Sequence, residues 1–183
     1  MLSTVPYSCF SLFCNATFDV ISAYHVLRVA ERWQQPLAFN ILGRHFKTTA
    51  LPFGWSESPH AFVKLINAVA AHIHREAPWI RWSMYMDDGI VVAASAQEAI
   101  EQRNYVVQQL ERFGIAVSRS KGLWKPAHSV EYLGMIIDTT PSPTGVHFMA
   151  TDKALEAISA SAGRLVRTGH SHERHPRVRV KLL

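Results

Sequence analysis

Two adjacent carboxylates, Asp87 and Asp88, stand between apolar runs, with Met84 and Tyr85 before them and Gly89, Ile90 and Val91 behind. The stretch reads as strand, acidic turn, strand, because Asp-Gly is a strong hairpin-turn signal. Neighbouring residues of a continuous strand point to opposite faces. Both acids therefore serve one site only if a tight turn lets them stand clear at its tip. A pair of unneutralised carboxylates between apolar strands is costly unless a cation offsets it, which makes Asp87 and Asp88 a candidate hard-metal site. An ordinary solvated Asp-Asp-Gly turn is the alternative on these residues alone. A third acid, Asp19, lies far upstream in another short apolar run. If the two strands are neighbours, three carboxylates converge at one sheet edge. That layout suits two Mg²⁺ ions ~3.5–4 Å apart, held by a few carboxylates and completed by substrate phosphates. The chemistry it points to is phosphoryl or nucleotidyl transfer, where positioning and charge neutralisation supply most of the acceleration.

Such acids need elements to hold them. Residues 16–20 read as a strand carrying Asp19, and residues 25–29, after Tyr24, as a second alternating run. Residues 37–42 and 45–50 bracket Gly43-Arg44 as a hairpin, and Leu51-Pro52-Phe53-Gly54-Trp55 is a rigid turn punctuated by Pro and Gly. Ser58 and Pro59 suit an N-cap and a first helical position. The helix they open places Phe62, Ile66, Val69 and Ile73 on one face and ends at Pro78. Ser95 and Glu98 form a capping box. The inner stripe of that second helix is Ile100, Val107, Leu110 and Phe113, and Gly114 closes it. A short strand at 115–117 leads to a basic loop at 118–125. Residues 130–137 and 146–149 suggest a hairpin across a turn at 141–145, and a last helix, 152–167, turns Leu155, Ile158, Ala162 and Leu165 inward. The order predicts an α+β fold, an antiparallel sheet with helices packed on one face.

At 183 residues, with 48% hydrophobic and 18% charged side chains, the chain is long enough for one domain with a core and is not of disordered composition. A net charge of +5 favours an anionic partner such as nucleic acid. Two cysteines, Cys9 and Cys14, are too few for a disulfide framework and read as free thiols. The uncharged start lacks the basic region of a signal peptide. No run approaches the ~20 apolar residues of a membrane helix, so an intracellular protein without membrane contact is expected. His170, His172 and His175 lie in a basic tail that reads as a solvated end rather than a metal site.

Phe18-Asp19-Val20-Ile21-Ser22-Ala23-Tyr24, then Leu51-Pro52-Phe53-Gly54-Trp55-Ser56-Glu57-Ser58-Pro59-His60-Ala61-Phe62, then Tyr85-Met86-Asp87-Asp88 resemble three successive palm motifs of reverse transcriptases. Residues 114–121 are similar to the fourth motif, and Glu131-Tyr132-Leu133-Gly134-Met135-Ile136-Ile137-Asp138 resembles the primer-grip hairpin. The likeness covers roughly residues 16–167 in order, and its wording is closest to retrotransposon enzymes of the gypsy-like or tyrosine-recombinase groups. It implies a polymerase palm with a ferredoxin/RRM-like core and RNA-directed DNA polymerase activity. By the same resemblance Asp19 and Asp87 are the principal metal ligands, Asp88 a ligand or electrostatic support, and Val20 a further ligand, for two Mg²⁺ (or Mn²⁺) ions. Tyr24 matches the aromatic gate beneath the nucleotide sugar. Phe53, Gly54, Tyr85 and Met86 line the deoxynucleoside triphosphate site. Lys121 matches a lysine that neutralises or protonates departing pyrophosphate, or else is a backbone-contacting or solvated lysine. Leu133 and Gly134 shape the primer hairpin, and Arg119 and Lys125 offer phosphate contacts to an RNA/DNA template-primer.

The pattern departs from the family at several places. Phe53 stands where some retroviral enzymes place Gln, and Glu57 and His60 are unusual in their motif. Only 18 residues precede Asp19, which leaves little room for the fingers region. The expected organisation is an N-terminal remnant at 1–15, the palm at 16–138, the start of a thumb or connection at 139–168 and a basic disordered tail at 169–183. The whole reads as a palm fragment of a retroelement polyprotein with RNase H, integrase or recombinase elsewhere. The alternative function is an inactive nucleic-acid-binding remnant of the same fold.

Overall fold

Strand β1 (Cys14–Asp19) and strand β5 (Asp88–Ala93) pair antiparallel over six residues, and β4 (Trp82–Tyr85) pairs with the other side of β5. The three make a sheet of order β1-β5-β4 in a computed structural model that describes residues 13–141 and 145–167. Side chains alternate across it. Phe18, Val91 and Trp82 point into the main core, whereas Asp19 and Asp88 share the opposite face as direct cross-strand partners.

Helices α2 (Glu57–Glu76) and α3 (Ala96–Arg112) cover the apolar face. In α2 the stripe Phe62, Ile66, Val69 and Ile73 is buried as the spacing predicted, each side chain contributing roughly 1.5–3 kcal/mol on leaving water. The helix begins two residues earlier than expected, with Ser56 as N-cap. Ser58 is not the cap because its hydroxyl is used elsewhere: buried inside the first turn, it donates to the Pro52 carbonyl at 2.7 Å. In α3 the Ser95 hydroxyl accepts from the Glu98 amide at 3.1 Å, and the Glu98 carboxylate reaches back to the Ala94 amide. Val107 and Leu110 are buried, but Phe113 is 45% exposed at the C-cap, and Ala99, Arg103 and Val106 complete the inward face instead.

Several elements differ from expectation for local reasons. Residues 23–26 curl into a 3-10 turn (Ala23–Val26) after Ser22, which has φ 50, so the alternating run there is not a strand beyond a bridge from Arg28 to Ala50. After the short helix α1 (Glu31–Gln34), β2 (Phe39–Ile41) and β3 (Arg44–Phe46) form the anticipated hairpin, but its turn is Leu42-Gly43. Both turn residues have positive φ, as the tightest hairpins require. Residues 115–117 contribute only the bridge from Val117 to Val20.

The expected hairpin near the end is a three-stranded meander, β6 (Ser129–Tyr132), β7 (Met135–Asp138) and β8 (His147–Ala150), because Leu133 and Gly134, both at positive φ, fold residues 130–137 back on themselves. Helix α4 (Asp152–Arg167) forms as predicted. Leu155 and Ile158 do not face inward, being 50% and 63% exposed, since no described element lies over them. Ala162, Leu165 and the residues from 168 onward lie outside what the structure describes at side-chain level, as do residues 1–12. Cys14 is a buried free thiol. Among the described residues no helix is long and apolar enough to cross a membrane.

Candidate active site

The three acids are brought together, though not all at a turn tip. The turn joining β4 to β5 is Met86-Asp87, with Met86 at φ 55, and Tyr85 pairs with Asp88. Asp88 is therefore the first residue of β5 rather than part of the turn. Gly89 does not supply the turn either. A Cβ on it would fall 2.2 Å from Phe18 Cζ, so glycine is required there to admit the buried Phe18 ring into the sheet.

Asp19 and Asp88 are direct cross-strand partners. The Val20 amide donates to the Asp87 carbonyl at 2.8 Å, which makes residues 20 and 87 the hydrogen-bonded pair and 19 and 88 the non-hydrogen-bonded pair, in which side chains come closest. Their carboxyls are close enough for Asp19 to act on Asp88. Asp87 occupies the adjoining turn, exposed, and its charge acts on Asp88. Extended residues send N–H and C=O to the same side, so the Val20 carbonyl faces this turn too. Among the described residues no group of three or more His, Cys, Asp or Glu side chains is placed to hold a metal ion by itself.

Electrostatics mark the cluster. The Asp88 carboxyl is pushed up to about 6 by burial first, then by its hydrogen bond to Asp19 and by the negative charges of Asp87 and Asp19; Lys121 pulls the other way. A folded-state value above the ordinary 3.8 means that the ionised carboxylate weakens the fold. That penalty is absent below about pH 4, grows as pH rises toward 6 and is fully present at pH 7. Asp88→Asn is accordingly expected to raise Tm at pH 7 and to flatten the fall in Tm between pH 4 and 6. Thermal melts across that range check this, and an Asn variant melting below the parent at pH 7 would contradict it.

The remaining candidates surround the acids in a graded way. Lys121 sits on the loop after α3, exposed, with its charge felt at Asp88. Tyr24 is half-buried, its ring 5.0 Å from Phe53 and 6.0 Å from Phe62. Phe53 is 65% exposed and Gly54 takes φ 84, in the turn that Ser58 ties to α2. Tyr85 is exposed and Met86 half-buried beside the acids. Leu133 and Gly134 form the turn of the β6–β7 hairpin and, with Asp19 and Asp88, line one cleft of about 520 Å³. Lys125 is exposed. Arg119 is committed elsewhere, bonded to Glu111 at 2.5 Å and lying over the Trp124 ring.

Sequence reasoning overlooked Tyr132, Arg103 and Trp124. Tyr132 donates from its hydroxyl to the Asp88 backbone carbonyl at 3.2 Å, tying the hairpin to the acids. Burial first, then the Asp88 charge, push that hydroxyl up to about 12, so it stays a donor. The signal was Tyr132's place one residue before Leu133 in an already noted motif. Arg103 and Trp124 had no such signal.

A family model described as reverse transcriptase (RNA-dependent DNA polymerase) matches residues 13–137. The Transposon Tf2-3 polyprotein of Schizosaccharomyces pombe is 29% identical over 103 residues, covering 56% of this chain and 7% of that protein. The genome polyprotein of Petunia vein clearing virus is 26% identical over 129 residues, 70% of this chain and 6% of the relative. The chain thus spans under a tenth of the curated relatives it matches. Two solved structures of the foamy viral protease-reverse transcriptase, one with an RNA/DNA hybrid and one with dsDNA, each superpose with a TM-score of 0.63. The first is 21% identical and covers 85% of this chain and 20% of that one; the second is 24% identical and covers 80% and 28%. At those identities the likeness shows the fold.

Proposed function

The chain belongs to the reverse transcriptase (RNA-dependent DNA polymerase) family, and from that premise we propose that it is the palm of an RNA-directed DNA polymerase from a retroelement polyprotein. The reaction is attack of a primer 3′-hydroxyl on the α-phosphorus of a deoxynucleoside triphosphate, with pyrophosphate leaving. The observation that carries this reading is the side-by-side placement of Asp19 and Asp88 with Asp87 in the adjoining turn.

The donor set fits a hard divalent cation. It consists of oxygens alone: the carboxylates of Asp19, Asp87 and Asp88 and the carbonyl of Val20. Burial, and after it the neighbouring acids Asp19 and Asp87, disfavour the ionised Asp88 carboxylate, and a cation would offset both. Among the described residues no group of three or more His, Cys, Asp or Glu is placed to hold an ion unaided, so an ion here would need waters and substrate phosphates as its other ligands. When bound, two Mg²⁺ or Mn²⁺ ions supply activation of the attacking oxygen and neutralisation of the leaving one.

The chain's own groups do the rest. Tyr24 and Phe53, packed with their rings tilted by 53°, form the wall on which the nucleotide sugar and base rest. Tyr85 and Met86 border the acids, and Leu133 and Gly134 hold the primer end across the cleft. Lys121 meets the departing pyrophosphate with its positive charge. Lys125, with Arg119 once freed from Glu111, contacts template-primer phosphates. Residues 16–138 are the palm in this reading, and 139–168 begin the thumb or connection.

The test is template-directed incorporation of a single deoxynucleotide by the longest natural polyprotein that contains this chain. Mg²⁺-dependent incorporation on an RNA template supports the reading. Salt-sensitive nucleic-acid binding without any incorporation decides instead for an inactive binding remnant.

A further inference from the structure

Arg103 is a cation inside the protein, 4% exposed on the inner face of α3. Among the described residues no carboxylate pairs with it, the ion pairs there being Arg75–Glu76 and Arg119–Glu111. Its guanidinium is spent mainly on Trp124. It lies 4.4 Å from the centre of the Trp124 ring and donates to the Trp124 carbonyl, while its other terminal nitrogen bonds Asn104 Oδ1 at 2.9 Å. Its Nε is buried without a partner. Burial, then the charge of Arg119, lower its basicity. A buried, incompletely satisfied cation is an expensive way to fill space, so its geometry needs a use.

Trp124 supplies one. Two guanidiniums lie against its ring, Arg103 at 4.4 Å and Arg119 at 5.1 Å from the centre, and its indole N–H donates to the Lys121 carbonyl at 2.7 Å. The loop bearing Lys121 is fixed on both sides to β1. The Ser118 amide donates to the Asp19 carbonyl, and the Leu123 amide to the Thr17 hydroxyl, both at 2.8 Å. Between these anchors Gly122 passes so close that a Cβ would sit 2.6 Å from the Thr17 carbonyl oxygen. The Lys121 amide bonds the Ser118 hydroxyl at 3.1 Å. The loop's inner side is thus set by β1 and its outer side by Trp124.

We propose that Arg103 and Trp124 are positioning residues that hold the backbone of Lys121 beside Asp19 and Asp88, so that α3 sets where the lysine charge meets the leaving group. This rests on the polymerase reading for its consequence, though not for the mechanical link. Hydrogen exchange in the 183-residue chain tests the link. Trp124→Phe keeps an aromatic ring, though a smaller one, and removes the indole donor, and should speed exchange at 121–123 by about tenfold, the worth of one net hydrogen bond, with 104–110 of α3 still protected. Arg103→Met should do the same, and Arg103→Lys should not restore protection, because an ammonium lacks the planar fork. Unchanged exchange at 121–123 in Trp124→Phe overturns the link.

Kinetics in the full polyprotein test its use. Trp124→Phe should lower kcat for single-nucleotide incorporation without changing template-primer affinity, and combining it with Lys121→Gln should cost no more than Lys121→Gln alone. Multiplicative losses would show that Trp124 acts independently of the lysine and overturn the positioning role. A parent protein that incorporates nothing defeats the polymerase reading, and the exchange result then still decides the link.

Discussion

Asp19→Asn is expected to lower Mg²⁺-dependent nucleotide incorporation by on the order of 10²–10³-fold, the scale on which single electrostatic contacts to a transition state act. The argument is local. Asp19 and Asp88 face each other as the close pair of the ladder, so removing one charge leaves the other carboxylate as the sole donor on that face. Asn keeps the shape of Asp, and β1 remains anchored through the Thr17, Asp19 and Val20 backbone bonds. The loss should therefore fall on kcat, with template-primer affinity held within about twofold, since phosphate contacts elsewhere supply most of that affinity. Single-turnover incorporation by the full polyprotein measures both. Incorporation within a few-fold of the parent would remove Asp19 from the chemistry.

Gly89→Ala is expected to be the most damaging small substitution in the sheet. The added methyl would meet three atoms of the Phe18 ring at 2.2–2.6 Å, and Phe18 is wholly buried among Val91, Trp82 and the two helices. The ring has nowhere to go, so the strands must part. Overpacking of this kind costs roughly 1–3 kcal/mol and sometimes more. Phe18 and Gly89 are paired one step from Asp19 and Asp88, so the distortion reaches the acids, and incorporation should drop beyond what lost folding explains. A urea midpoint unchanged in Gly89→Ala would contradict this account, whereas partial recovery in Phe18→Leu/Gly89→Ala would locate the clash.

What the sequence revealed follows from which forces are local. The stripe of α2 and the capping box at Ser95 are set by spacing within one element, and both formed as read. The turn at Met86-Asp87 was misplaced because the Asp-Gly signal describes a turn in isolation, whereas here Gly89 answers to Phe18, a residue on another strand. The same holds for Ser58, whose hydroxyl serves the Pro52 turn instead of the helix start. His25 and Val26 left the predicted alternating run because Ser22, in a left-handed conformation, bent the chain into a 3-10 turn. The pairing of Asp19 with Asp88 instead of Asp87 is a matter of register, which no local pattern carries. Arg103 and Trp124 were invisible for a further reason: their link spans α3 and a loop, and a lone arginine at a helical position ordinarily reads as solvated.

The most direct measurement is of divalent-ion contact itself. With the chain labelled with ¹³C at carboxyl and carbonyl carbons, substoichiometric Mn²⁺ should broaden the signals of Asp19, Asp87, Asp88 and Val20 first, and spare those of Glu111 and Asp138. If the Asp19 and Asp88 signals broaden no sooner than that of Glu111, the acids do not form a metal site and the polymerase reading of this cluster fails.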